Sequence, residues 1–303
     1  MGAEEWIVDE PSARLDHFLA AHLVGYSRAR IQAGIRSGAA TLNGKTVRPS
    51  ETVRVGDHIR WNAPREEATM HALPEDLPVE ILFEDEDMAV VNKPAGMVVH
   101  PAPGNAHGTL VSALLHHFGP LDTGDPARPG IVHRLDKETS GLILIAKNAW
   151  AHSELSARFA SREVEKIYLA AVAGCPRHTR GSIDARIGRH PVHRKKMAVR
   201  DNGRTAVTGY RVLASSGGQS LLQCEPKTGR THQIRVHLKH IGHPVLGDPL
   251  YGHRGTLTRH LLHAWKLACT HPTTGRVLAF TAPLPADFLS ALVPELADAV
   301  GSG

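Results

Sequence analysis

Residues 132–142 read VHRLDKETSGL, a run of charge between two apolar stretches, Ile131-Val132 before it and Leu142-Ile143-Leu144-Ile145 after it. Apolar runs of this kind mark strands buried on both faces. If residues 131–136 are extended, Arg134 and Asp136 point to one face and Leu135 to the other. The turn signal Thr139-Ser140-Gly141 then puts Asp136 at the end of a strand. An ionised carboxylate in that setting is costly to bury unless it is paired or used. For a lone aspartate, an Arg–Asp pair or a helix cap is the commoner explanation. Here Arg134, Asp136, Lys137 and Glu138 are too dense a cluster for a purely structural insert, and no second carboxylate pair has a comparable setting. A second polar island, KTGRTHQIR at 227–235, places Arg230 just ahead of a helix start.

Outward from this stretch, MAVVNKPAGMVVHP predicts two apolar strands around a Pro94-Ala95-Gly96 turn. THQIRVHLKHIG predicts a helix with Thr231 as its cap and Gly242 just past its end. Strand-like segments lie between helices without a repeating βαβ rhythm, so the expected class is α+β with a mixed or antiparallel sheet. This domain is expected to span 78–290. Residues 63–77 (APREEATMHALPEDL) have no period and two prolines, and predict a linker. The tail at 291–303 carries no visible role.

Residues 12–62 predict a small module of two helices and a hairpin. Ser12 is the expected N-cap of a helix that places Leu15, Phe18, Leu19 and Leu23 on one face. A second helix is expected from Ser27, with Ile31 and Ile35 inward and Arg28, Arg30 and Arg36 outward. Asn43-Gly44 between β-formers signals a tight hairpin bearing Lys45 and Arg48, and TVRVGDHIRW supplies one more strand. A solvated basic face would be the default reading, but the hairpin extends the positive surface. The order of two short helices, LNGK and a VxxGD strand resembles the S-four-like RNA-binding domain. The resemblance implies contact with RNA through shape and phosphate.

Composition bounds the rest. The chain has 303 residues, 42% of them hydrophobic and 21% charged, with a net charge of +5. No run has the length of a membrane span and the start lacks a leader pattern, so the cytoplasm is the expected location. Three separated cysteines form no CxxC pair, which argues against a disulfide framework or thiolate metal site. His232, His237, His240, His243, His260 and His263 invite a metal reading, but the spacing runs past the helix end and lacks an HExxH or Cys partner. No metal and no cofactor are expected. GRHPVHRKKMAVR at 188–200 carries Arg189, Arg194, Lys195, Lys196 and Arg200, a charge run that is either a solvated loop or a phosphate-binding one.

GIVHRLDKETSGLILIAKN resembles the signature of the RluA-type pseudouridine synthases, and EKIYLAAV, PKTGRTHQIRVHLKHIGHPVLGDPLYG and LLHAWKLACTHPTTG match in the same order across roughly 80–285. With the N-terminal module, the chain resembles the branch that modifies large-subunit ribosomal RNA. The resemblance implies isomerisation of uridine within RNA, by a monomer, with no cofactor. It maps the catalytic carboxylate onto Asp136, as nucleophile or as stabiliser of positive charge, and its ion-pair partner onto Arg230. It makes Tyr168 the residue that stacks on the base and assists proton transfer. Arg134 would fill the space left by a flipped nucleotide, and Leu267, with Leu262 as a near alternative, would pack on the catalytic group. An RNA substrate turns Arg189, Arg194, Lys195 and Lys196 into expected phosphate contacts. Two rivals compete: a non-catalytic RNA-binding ribosome-assembly factor, and a hydrolase. The second lacks a well-placed second carboxylate or a metal cluster.

Overall fold

The computed structural model describes all residues except 1–2, 11–13, 24–25, 27, 64–71, 103, 125–127 and 302–303, and leaves out the side chains of 29, 30, 300 and 301. The caps expected at Ser12 and Ser27, the Arg30 side chain and most of the expected linker therefore lie outside the described residues. The chain divides into two compact units, Met1–Thr69 and Met70–Gly303.

The first unit contains β1 (Glu4–Ile7), α1 (Leu15–His22), α2 (Arg28–Arg36), β2 (Ala40–Leu42), β3 (Lys45–Thr46) and β4 (His58–Trp61), with sheet order β1-β4-β2-β3. Leu15, Phe18, Leu19, Leu23, Ile31 and Ile35 are all buried, packed with Ile59 and Trp61. Asn43 and Gly44 adopt φ of 52° and 76°, the left-handed pair that a two-residue hairpin requires. β1 was not legible in EEWI, where apolar and polar residues do not alternate. Inside the unit, Asp16 is fully buried and pins α1 to α2. It accepts from Arg14 Nε (2.8 Å), Arg28 Nε (3.1 Å) and Gln32 Nε2 (2.5 Å). The bond from Arg14, helped by those from Gln32 and Arg28, holds this carboxyl far below the usual carboxylate range although burial opposes it.

The second unit runs β5 (Glu80–Glu84), β6 (Met88–Lys93), α3 (Leu110–Phe118), β7 (Ser140–Ala146), α4 (Ala149–Ser161), β8 (Glu165–Ala173), β9 (Arg180–Asp184), β10 (Ile187–Arg189), β11 (Met197–Val199), β12 (Val207–Ser216), β13 (Gln219–Pro226), α5 (Gln233–His240), β14 (Leu262–Thr270), β15 (Val277–Thr281), α6 (Ala286–Ser290) and α7 (Pro294–Gly301). Its main sheet has the order β5-β6-β7-β14-β8-β13-β12-β9, with β15 also beside β14. Every pairing is antiparallel except β7 with β14, which makes this an α+β fold on a mixed sheet. One face packs Ile143, Ile145, Tyr168, Leu222 and Leu262 against α3 and α5. The other buries Leu142, Leu144 and Leu267 beneath α4, and Leu169, Leu221 and Trp265 beneath α6 and α7. The tail thus supplies Leu296, fully buried on the sheet.

Two expected strands are absent. After β6 the chain does not resume as a strand, and Val98 makes only an isolated bridge to Thr109. The cause is Lys93: it is fully buried, and its ammonium donates to the carbonyls of Pro94 (2.7 Å), Met97 (2.9 Å) and Lys137 (3.2 Å), curling the segment around itself. Residues 131–136 are not a ladder strand either. Ile131 bridges Ile145, but the Leu144 N–H is then taken by His133 Nε2 (2.8 Å), so a side chain replaces the next backbone partner. Burial lowers the His133 pKa to about 3, which keeps that nitrogen free to accept.

β7 approaches β14 most closely at Gly141, which has φ of 107° and whose Cβ, if present, would collide with the Ala264 carbonyl. Gly141→Ala is expected to destabilise the domain by about 2–4 kcal/mol, measured by urea unfolding; Gly242→Ala, at an open position, is expected to cost about 1 kcal/mol.

Candidate active site

Asp136 lies in the irregular segment that enters β7. Its carbonyl accepts from Thr139 N–H (3.1 Å), and the next carbonyl, that of Lys137, accepts from Gly96 N–H (2.9 Å) as well as from Lys93. The carboxylate's backbone is therefore clamped on a buried lysine. Desolvation brings the Lys93 pKa down to about 7, against the pull of the nearby Glu138 and Asp136 charges.

The ion pair of Asp136 is not the expected one. Arg235 Nη1 donates to Asp136 Oδ2 at 2.8 Å, while Arg235 Nε and Nη2 grip both oxygens of Asp248 at 2.7 and 3.0 Å. Arg230, the sequence-based choice, sends its Nε to the Thr205 carbonyl (3.0 Å). The reason is the course of the chain before α5. Arg230 belongs to the preceding turn, whereas Arg235 is the third residue of the helix and its side chain is only 4% exposed. The expected cap Thr231 does not act. His232 holds the cap position with φ of 57°, and the Gln233 side chain ties the turn by accepting from Arg230 N–H and Thr228 Oγ1.

Burial would raise the Asp136 carboxyl, but the positive charges of His232, once it is protonated in acid, and of Arg235 outweigh burial and hold it below its ordinary value. Asp248 is held low as well. Burial opposes its ionisation, and the Arg235 guanidinium, together with the N–H groups of Leu250 (2.9 Å) and Tyr251 (3.1 Å), prevails. Arg235 is correspondingly raised, the two carboxylates more than offsetting its burial.

Beside Asp136 opens a cavity of about 440 Å³, lined by Arg134, Tyr168, Arg230, Ile234 and Leu262 among others. Tyr168 is buried, and desolvation, with the charge of Asp136, keeps its phenol protonated. Arg134 is exposed at the cavity. Leu267 is not in the site: it lies on the opposite face of the sheet with Leu142 and Leu144, and Leu262 occupies the expected place. The two leucines are five residues apart in one strand, and an odd separation puts them on opposite faces.

The basic residues divide by role. Arg28 is half exposed but spends its Nε on Asp16; Arg36 and Lys45 are exposed. In the second unit, β10 and β11 form a hairpin whose 190–196 loop exposes Arg194 and Lys195, with Lys196 partly covered. Arg189 braces this loop through the Arg194 carbonyl (2.6 Å). Among the described residues no group of three or more His, Cys, Asp or Glu could hold a metal ion, and no helix is long and apolar enough to cross a membrane.

Sequence reasoning missed Arg235, Asp248, His232 and Tyr251 as parts of one cluster. The segment QIRVHLKH gave little signal, since Arg235, His237, Lys239 and His240 all interrupt its apolar residues.

Residues 87–240 match the RNA pseudouridylate synthase family, and residues 13–59 match the S4 domain. An RNA pseudouridine synthase of Chloroflexus aurantiacus is 48% identical over 98% of this chain and 95% of its own length. The ribosomal large subunit pseudouridine synthase D of Nitrosomonas europaea is 44% identical over 92% of this chain and 83% of its own. Among solved structures, human RNA pseudouridylate synthase domain containing 1 superimposes with a TM-score of 0.59 at 28% identity, covering 74% of this chain and 89% of that one.

The two arginines can be told apart by stability. Arg235→Met strands two buried carboxylates and is expected to cost about 3–5 kcal/mol at pH 7, whereas Arg230→Met should stay within about 1 kcal/mol; urea unfolding reads both. Because the folded pKa values of Asp136 and Asp248 are depressed, the wild-type gain is complete above the unfolded carboxylate value of about 3.9 and is lost as pH falls through the folded values. The difference between wild type and Arg235→Met should therefore shrink on acidification.

Proposed function

Since the chain belongs to the RNA pseudouridylate synthase family, we propose that it isomerises uridines of large-subunit ribosomal RNA, with Asp136 as the reacting group and without a cofactor. The observation that carries this reading is the division of labour on one carboxylate: Oδ2 is tied to the buried Arg235, and the group lines a cavity walled by Tyr168 and Leu262.

The reaction breaks the bond from ribose C1′ to uracil N1 and makes one from C1′ to C5. The C5 hydrogen leaves as a proton and N1 ends protonated, so atoms balance with no redox step. An ionised carboxylate next to C1′ can add to the reacting centre or stabilise positive charge there, and its depressed pKa keeps it ionised at neutral pH. Tyr168 offers a flat apolar face to the base and a protonated hydroxyl. Arg134, exposed at the rim, is suited to hold the place of a nucleotide turned out of its stack. The 190–196 loop, with Arg194 and Lys195, and in the first unit Arg36 and Lys45, supply phosphate contacts. The protein acts as a monomer in the cytoplasm. The name of the Nitrosomonas europaea relative, a ribosomal large subunit pseudouridine synthase, supports the choice of ribosomal RNA.

The test is an unmodified large-subunit ribosomal RNA transcript incubated with wild type or Asp136→Asn, with pseudouridine mapped by carbodiimide labelling and primer extension. Wild type should give new stops on intact RNA, and Asp136→Asn should be slower by at least about a thousandfold. Tyr168→Phe keeps the stacking face and should fall about a hundredfold. RNA binding without stops, on this transcript, on ribosomal particles and on total cellular RNA, would instead support an assembly factor.

A further inference from the structure

We propose that Tyr251 and His232 connect the basic β10–β11 hairpin to the catalytic carboxylate, with His232 presenting a fixed Nε2–H toward Asp136 Oδ1, the oxygen that Arg235 leaves open. The proposal rests on the assignment of Asp136 as the reacting group and adds two positioning residues to it.

Hydrogen bonds run from β11 to His232 and stop one gap short of Asp136. Met197, the first residue of β11, donates its N–H to the Tyr251 hydroxyl oxygen at 2.8 Å. That hydroxyl lies 2.7 Å from His232 Nδ1, and His232 Nε2 lies 4.0 Å from Asp136 Oδ1. The tautomer follows from counting protons. A backbone amide can only donate, so the Tyr251 oxygen is an acceptor toward Met197, and its own proton needs a partner. If His232 Nδ1 also donated to it, the buried phenol proton would be stranded at a free-energy cost. The phenol therefore donates to Nδ1, and the neutral ring carries its hydrogen on Nε2, the nitrogen nearer Asp136.

The surroundings hold both residues in place. His232 has a left-handed backbone, φ 57°, directly before α5, so the ring position is set by the chain and not by a free rotor. Tyr251 is 8% exposed, donates its N–H to Asp248 Oδ1, and has its ring 5.1 Å from the Arg235 guanidinium carbon. The charged groups that act on His232 are Asp136 and Asp248, which favour protonation, and Arg235 and Arg134, which oppose it. Burial leads, and the ring stays neutral below the usual histidine range. β11 continues directly from the 190–196 loop, so a phosphate backbone seated on Arg194 and Lys195 would lie at the far end of this chain of contacts.

Two measurements decide this. Long-range proton–nitrogen NMR of the full chain, labelled at histidine nitrogen and free of RNA, should show wild-type His232 (identified by its loss in His232→Gln) as the Nε2–H tautomer, protonating only at a lower pH than an ordinary imidazole. In Tyr251→Phe the donor to Nδ1 is gone, so the ring should protonate at a higher pH. Single-turnover conversion of the transcript by Tyr251→Phe should be about tenfold slower at pH 7 with RNA affinity unchanged, and should gain an acid limb that wild type lacks. The double variant should be no slower than His232→Gln alone. An Nδ1–H tautomer in the wild type overturns the proposal, as do multiplicative rate losses with no acid limb. A wild type inactive on every RNA would count against the assignment of function, and the NMR result would still decide the tautomer.

Discussion

Arg235 serves two carboxylates, one sealed from water and one only partly covered. A guanidinium offers five N–H donors in a rigid fork. Two of them match Asp248 side-on, and a third reaches Asp136. One positive charge cannot fully compensate two negative ones, and the molecule resolves the imbalance unevenly. Asp248 receives two backbone N–H groups as well and is fully buried. Asp136 receives the single bond on Oδ2 and remains 19% exposed. The leftover acceptor capacity thus falls on Asp136, which has a cavity beside it. The uneven sharing of hydrogen bonds is what sets the two carboxylates apart.

The rest of the domain exists in a form that keeps that distribution fixed. α5 carries Arg235 inward because residues 233–238 are buried on every side. The Asp136 segment cannot drift, since Lys93 holds the neighbouring carbonyl from beneath and His133 takes the Leu144 N–H from the side. Both devices put a polar side chain where a strand partner would otherwise stand. The charged stretch is therefore tolerated between apolar strands because it is not itself part of the sheet.

Much of this was legible in the amino-acid sequence. Leu15, Phe18, Leu19, Ile31 and Ile35 announce their helices by spacing, Asn43-Gly44 announces its hairpin, and the absence of a βαβ rhythm gives the α+β class. The charge in VHRLDKETSGL marks the segment that leaves the sheet before β7. Arg235 escaped for a physical reason. Ile234, Val236 and Leu238 alternate at a spacing of two, so no buried face can be drawn on the helix, and an arginine among them reads as exposed. Arg230 was favoured because it precedes a helix N-terminus, but a left-handed His232 and the Gln233 side chain organise that end. Leu267 and Leu262 lie in one strand, and only the faces of that strand separate them. Charged or short edge elements such as β1 carry no alternation, so sequence pattern gives no handle on them.

The parallel contact of β7 with β14 joins Ser140 to His263, more than a hundred positions apart along the chain. Contacts of such long separation form late, because the intervening loop must close before they repay its lost freedom. β14 also supplies Leu262, and Arg235 arrives only with α5. During synthesis the Asp136 segment therefore emerges well before the groups that ionise and orient it. A nascent chain can display its basic surfaces to RNA while it has no organised carboxylate, so binding competence precedes chemical competence in the life of each molecule.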